Sequence, residues 1–399
     1  MYIHLEILKQ RLDSINQLRL IRAYSSMSDQ LKIIYELLPI LLNYHHPILP
    51  GYIEGDVPVG ICFFVPDTDQ INWLKQFDIN FYFEPILYKN NSELPIIGIY
   101  SMGSTSSIGQ NNNSDLDIWI CHQSWLNKNE KKLLQKKCTL IKKWISSFGV
   151  DVTLFLIDEN LFHDNISNSI ISDSEHKTRT IQYILLLDEF YRTSVRIAGK
   201  RLLWMIIPVE EEKNYDEYVL LLYAQGILLQ NEWLNLGGLG KLSLNEYLRA
   251  SIYQLYNSTN FSYKTILKSI LLESYFMNSH YGELLSIEFK KRLHAGQMIY
   301  YGLDAYCLML ERVTCYLINI NDFALLDIIR CCFYLKVNEK LSDKNNKFIN
   351  NNWRKHVLSQ LVISWKWNIK KLRILDNKNN YIIDQYQYEY KKYLQRNAY

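Results

Sequence analysis

The chain has 399 residues, 48% of them hydrophobic and 21% charged, which excludes a disordered chain and gives length for two or three domains. Lys and Arg total 44 against 41 Asp and Glu, a net charge of +3, so a nucleic-acid role for the chain as a whole is excluded and any such contact needs a local basic patch. No apolar run reaches the ~18 residues that span a bilayer, and the charged N-terminus has no signal-peptide core, so a soluble cytoplasmic protein without a membrane span is expected.

Residues 4–45 read as helical. Leu5, Leu8, Leu12, Ile15, Leu18 and Ile21 recur at three- and four-residue steps. A second pattern over 29–44 stops at His45-His46-Pro47, with Pro50 close behind. The two histidines are adjacent and cannot share a face as metal ligands would, so they read as capping or packing residues.

Between about 55 and 160 the character changes. "GICFFV" (60–65), "LPIIGIYSM" (94–102), "LDIWIC" (116–121) and "VDVTLFLID" (150–158) are short β-branched and aromatic runs bounded by turn residues. A helical pattern, "NEKKLLQKKCTLIKKWISSFG", lies between the last two and ends at Gly149. Strand, strand, helix, strand predicts a small sheet with at least one crossover.

From about 176 the pattern is helical: "TIQYILLLDEFYRTSVRIAGKRLLW" as one long periodic segment, then "SLNEYLRASIYQLY", "SYKTILKSILLESYF", "ALLDIIRCCFYLKV" and "KHVLSQLVISWKW". The fold class expected is α+β, laid out as an N-terminal helical segment (1–50), an α/β core (51–170) and a large α-helical domain (171–399). The seven cysteines are an odd number without Cys-x-x-Cys spacing, as buried reduced thiols of a cytosolic protein would be.

"GSTSSIGQNNNSDLDIWI" (103–120) concentrates the chemistry. Asp115 and Asp117, one residue apart on a strand, point to the same face, and Leu116, Ile118 and Ile120 point to the other. Two neighbouring carboxylates repel unless a cation sits between them. Mg²⁺ takes oxygen ligands and completes its shell with water and phosphate, so the pattern suits a divalent metal carrying a nucleoside triphosphate. Gly103-Ser104 follows the preceding strand; the glycine lets backbone approach a phosphate, and Ser104 adds a hydroxyl and an N–H.

Asp151 opens the next strand and is preferred over Asp158, which lies on the opposite face, as a third carboxylate and a base. The bland reading of Asp-x-Asp is a solvated strand end. "GIYSMGST" comes close to a phosphate-binding P-loop, but Ser104 stands where its lysine belongs, so that reading is rejected.

Gly-Ser, a spacer, Asp-x-Asp and a later acidic strand residue resemble the nucleotidyltransferase superfamily of DNA polymerase beta type. More specifically, "MGSTSSIGQNNNSDLDIWICHQSWL", "ILLLDEFYRTSVRIAGKR", "YGLDAYCLMLERVTCYL" and "CCFYLKVNEKLS" resemble the catalytic half of class I adenylate cyclases, a resemblance that covers nearly the whole chain. It implies a small mixed nucleotidyltransferase sheet with flanking helices, and conversion of ATP to 3′,5′-cyclic AMP and pyrophosphate. By carry-over, Gly103 and Ser104 would hold phosphate; Asp115, Asp117 and Asp151 would bind Mg²⁺, with Mn²⁺ as the alternative.

The sequence departs from the family at Val59 and Asn91, where relatives carry basic residues, although Lys89 is near the second. The family's C-terminal regulatory region is expected to be absent, and no regulatory partner is identified. Two other readings stay open: a nucleotidyltransferase with another acceptor, and a decayed nucleotide-binding remnant.

A triphosphate needs further cations. Arg192, Arg196 and Lys200 are four apart, which places them on one face of the expected helix; Lys264 and Lys268 make a second such pair. Their bland reading is a solvated basic face. Trp119 alternates onto the aspartate face, where it either stacks on a base or packs in the core. Asp188 and Glu189 read as structural partners of neighbouring bases.

Overall fold

A computed structural model describes residues 2–75, 94–111, 114–162, 174–239, 263–276, 283–297, 303–342 and 352–377. The chain is a mixed α+β protein in two compact units. Unit 1 comprises residues 1–106, 112–241 and 293–296; unit 2 comprises 107–111, 242–292 and 297–399.

Unit 1 begins with α1 (Tyr2–Ser25) and α2 (Asp29–Asn43). Ser28 caps α2 by accepting the Leu31 N–H, and α2 ends before the prolines, as the sequence predicts. A short α3 (Thr68–Lys75) follows. The first run expected as a strand, 60–65, is instead a turn: Phe63 takes a left-handed φ of 55°, and only Ile61 bridges Ile96.

The sheet consists of β1 (Ile96–Met102), β2 (Leu116–His122), β3 (Val152–Asp158) and β4 (Val195–Gly199), in the order β3-β2-β1-β4. β1 runs antiparallel to β2 and β4, and β2 runs parallel to β3. The parallel pair is joined through α4 (Lys128–Ser146), the expected crossover. Asn127 and Glu130 form a full capping box at its start.

One face of the sheet packs on α2 and α4. Ile99, Leu116, Ile118, Ile120, Val152 and Leu154 meet Leu38, Leu41, Leu134, Cys138 and Ile141 in one core. Each such side chain contributes about 1.5–3 kcal/mol by leaving water. The other face carries aromatics: Tyr100 and Trp119 against Phe190 of α5 (Ser174–Thr193).

The long helix expected over 180–204 stops at Thr193. Val195 and Ile197 are β-branched, and the chain from Val195 pairs with β1 (Ser101 with Val195, Ile99 with Ala198, Gly98 with Gly199). Ladder bonds along an open strand outweigh the helical periodicity. A two-stranded ladder of β5 (Arg201–Leu202) and β6 (Trp233–Leu234) and the helix α6 (Tyr215–Ala224) complete unit 1.

α8 (Leu285–His294) is divided between the units, its last two residues belonging to unit 1. Unit 2 is otherwise helical among its described residues, with α7 (Tyr263–Phe276), α9 (Ala305–Asn319), α10 (Phe323–Val337), α11 (Trp353–Ser364) and α12 (Ile369–Asp376). α7 packs on α9 and α10, and α10 on α11 and α12. The helix expected from "SLNEYLRASIYQLY" lies outside the described residues. No helix among the described residues is long and apolar enough to cross a membrane.

Candidate active site

β1 leaves the sheet at Met102 and turns at Gly103, whose φ of 82° lies in the left-handed region that a side chain would strain. The Gly103 N–H donates to Thr193 Oγ1 at 3.1 Å, and that hydroxyl donates to the Glu189 carbonyl at 2.6 Å. Ser104, Thr105, Ser106 and Ser107 are all buried, so the polar spacer is a packed turn and not a solvated loop.

β2 returns with Asp117 opposite Met102. A Cβ on Gly103 would stand 3.9 Å from Asp117 Oδ2, so the bare glycine faces this carboxylate. Asp117 is half-buried, and Asp115, which immediately precedes β2, is exposed. Asp151 immediately precedes β3; its carbonyl accepts the Leu116 N–H at 3.3 Å. In the parallel register Leu116 pairs with Val152 and Asp117 with Thr153, so Asp151 stands level with Asp115 at the same end of the sheet.

Asp158 is at the far end of β3, where Lys131 binds it at 2.6 Å. Burial pushes its carboxyl up, but the Lys131 hydrogen bond overrides this and holds it below the usual carboxylate value.

Two hard-oxygen donors beside a glycine turn fit a divalent cation that draws its other ligands from water and phosphate. Among the described residues no three His, Cys, Asp or Glu side chains converge as a preassembled metal cage.

The basic residues separate. Arg192 lies in the last turn of α5, buried against Asp188 at 3.4 Å. Arg196 lies on β4, bound to Asp13 of α1 at 2.9 Å, and Lys200 follows that strand. The single helical face predicted for these three residues does not exist, because the helix ends between the first and the second. Lys264 and Lys268 do share α7 one turn apart, half-buried in unit 2.

Trp119 is 2% exposed, stacked on Phe190 (4.1 Å between centroids, 9° between planes) and on Phe162. It is a core residue. Val59 is half-buried, and Lys89 and Asn91 lie outside the described residues.

Sequence reading missed Thr193, which holds Gly103, and Asp13, which binds Arg196 and Arg201. These partners are separated by 90 to 188 residues, and local spacing carries no signal for them.

Two family models match. One described as "Adenylate cyclase NT domain" covers residues 4–205; one described as "Adenylate cyclase, class-I, second domain" covers 242–396. Among curated proteins, an adenylate cyclase of Proteus mirabilis is 57% identical over 96% of this chain and 44% of its own length. Those of Yersinia intermedia and Escherichia coli K12 are each 52% identical over 96% of this chain and 45% of their own. The chain thus spans somewhat under half the length of these curated relatives. No solved structure matches it.

Proposed function

The chain belongs to the class-I adenylate cyclase family, and on that premise we propose that it converts ATP to 3′,5′-cyclic AMP and pyrophosphate at the Gly103–Asp117 end of the sheet. The ribose 3′-oxygen forms a bond to the α-phosphorus. The bond from that phosphorus to the β-phosphate bridging oxygen breaks, and pyrophosphate leaves with the electron pair.

The observation that carries this reading is the Asp117 carboxylate facing the bare Cα of Gly103 at the end of two paired strands. There a phosphate would meet a carboxylate-held cation beside a residue that carries no Cβ. Asp115 and Asp117 would hold the divalent metal, Mg²⁺ or Mn²⁺. When bound, it supplies charge neutralisation for the triphosphate and acidifies the attacking hydroxyl. Asp151, level with Asp115 on the adjacent strand, would be the third carboxylate and the acceptor of the hydroxyl proton.

Ser104, buried in the turn, would be the phosphate-side residue of the Gly-Ser pair, and the Gly103 N–H donates to Thr193. Lys264 and Lys268 lie on α7 of unit 2, apart from the unit 1 residues on which this reading rests. Arg192 and Arg196 are engaged by Asp188 and Asp13, and we read them as supports of α5 and β4. This arrangement of strand, Gly-Ser turn and Asp-x-Asp strand supports reading the sheet as a nucleotidyltransferase sheet. The substrate in this reading is ATP.

The test is the purified chain with ATP and either metal, its products resolved against cyclic AMP and pyrophosphate. Cyclic AMP is expected, and Asp117→Ala is expected to lower turnover at least about a thousandfold with an unchanged unfolding midpoint. A nucleotidylated acceptor in place of cyclic AMP, or near-normal turnover of the variant, overturns the assignment.

A further inference from the structure

The segment that carries the Gly-Ser turn towards the aspartates is gripped in its middle by two buried charges. Ile108 is fully buried. Its N–H donates to Asp304 Oδ2 at 2.9 Å, and its carbonyl accepts from Arg354 Nε at 3.0 Å. Both backbone groups of one residue are therefore held by side chains of opposite charge.

Each charge is itself fixed. Asp304, 3% exposed, caps α9 through its other oxygen, which accepts the N–H groups of Tyr306 and Cys307 at 3.0 Å each. Arg354, 8% exposed, also donates to the Val337 carbonyl at the end of α10 and to Glu339 at 2.9 Å. Its donors are spread over three acceptors, an arrangement for which a rigid planar fork is suited and an ammonium is not.

The residue next to Ile108 confirms how close the approach is. A Cβ on Gly109 would stand 2.9 Å from the Tyr306 ring, so only glycine fits against α9. Asn111 adds a bond to the Lys336 carbonyl of α10. By its contacts, 107–111 belongs to unit 2, whereas Ser104 and Asp115 belong to unit 1. Only Thr105 and Ser106 separate Ser104 from this held segment, and Ser106 is itself in the left-handed region at φ 67°.

We propose that Arg354, with Asp304, is a positioning residue: it fixes the backbone at Ile108 and so sets the conformation of the turn that presents Ser104. This rests on the cyclase reading of the turn, but the grip on Ile108 stands apart from it. Arg354 touches no reacting atom; its effect passes through the main chain. Side chains of α9 and α11 would in this way govern the geometry of a turn to which they contribute no residue.

The test uses the full chain with Arg354→Lys, which keeps a cation for Glu339 but cannot serve three acceptors together. Two quantities are read: steady-state cyclase kinetics, and backbone hydrogen exchange of peptides covering 104–111. The expected result is at least a tenfold fall in kcat with KM for ATP changed less than twofold. Exchange should speed up in 104–111, while peptides from α7 and α10 stay unchanged.

Unchanged exchange in 104–111 overturns the proposal, and so does faster exchange spread across all of unit 2, which marks a packing role alone. A kcat within twofold of the unsubstituted chain also overturns it. Should the unsubstituted chain form no cyclic AMP, the cyclase reading fails by itself, and the exchange data still decide the grip on Ile108. Should Arg354→Lys not fold, Asn111→Ala, which removes the weaker bond to Lys336, is read in the same two ways and is expected to move both quantities in the same direction by a smaller factor.

Discussion

Thr193 stands 90 residues from Gly103 in sequence, and its hydroxyl both accepts the glycine N–H and donates to the helix carbonyl of Glu189. Replacing it by valine keeps the volume but leaves a buried donor without an acceptor, at a cost of about 1–3 kcal/mol. Thr193→Val is therefore expected to lower the urea unfolding midpoint and to reduce turnover, and Thr193→Ser to restore both. A valine variant with normal stability would show that water or another group takes over the Gly103 amide. The strand that carries Asp117 was legible because its alternating apolar residues mark it in the sequence. Thr193 was not legible, since its role depends on a turn and a helix end that meet only in the fold.

At the scale of elements, α4 shows what local sequence determines. Asn127 accepts from the backbone of Asn129 and Glu130, and Glu130 returns a bond to the Asn127 N–H. Asn127→Ala is expected to cost about 1 kcal/mol, read as a lowered denaturant midpoint. A loss below a few tenths would mean that packing of Leu134, Cys138 and Ile141 holds the helix without its cap. The crossover and its parallel strands were legible for this reason: cap, periodicity and Gly149 agree.

β4 was hidden because "TSVRIAGKR" continues a helical periodicity. What decides its state is the ladder offered by β1 and the side chains of α1. Arg19 donates to the carbonyls of Ser194 and Arg192 at 2.6 and 2.7 Å, and Asn16 bonds Arg196 through both its oxygen and its amide. No window of 20 residues contains those partners.

For the molecule as a whole, the buried thiols contribute to its loss of stability at alkaline pH. Burial pushes Cys62 up to about 11 and Cys138 up to about 12, both from an ordinary value of 9.0. Such thiols stay neutral in the fold and ionise first in the unfolded chain. Their stabilising effect is fully present below pH 9 and is lost as pH rises towards 11–12. Lys137, lowered by burial to about 8, acts in the opposite sense above that pH.

The informative comparison is therefore between proteins and not along one curve. The Cys62→Ala/Cys138→Ala double variant is expected to lose stability less steeply above pH 9 than the unsubstituted chain. Parallel curves of unfolding midpoint against pH would refute the thiol origin.

The interleaving of the two units has a consequence for birth order on the ribosome. Unit 2 contains 107–111, and unit 1 contains 293–296, where His294 bonds Met205 and Arg11 reaches the carbonyls of Leu293 and His294. The first unit therefore cannot be finished until nearly three hundred residues have emerged, and residues 107–111 wait longer still for α9, α10 and α11. During that interval Ile108 has no Asp304 or Arg354 to hold it. A nascent chain would carry its Asp-x-Asp strand well before the turn beside it acquired a fixed shape, so competence for chemistry would arrive late in synthesis and all at once.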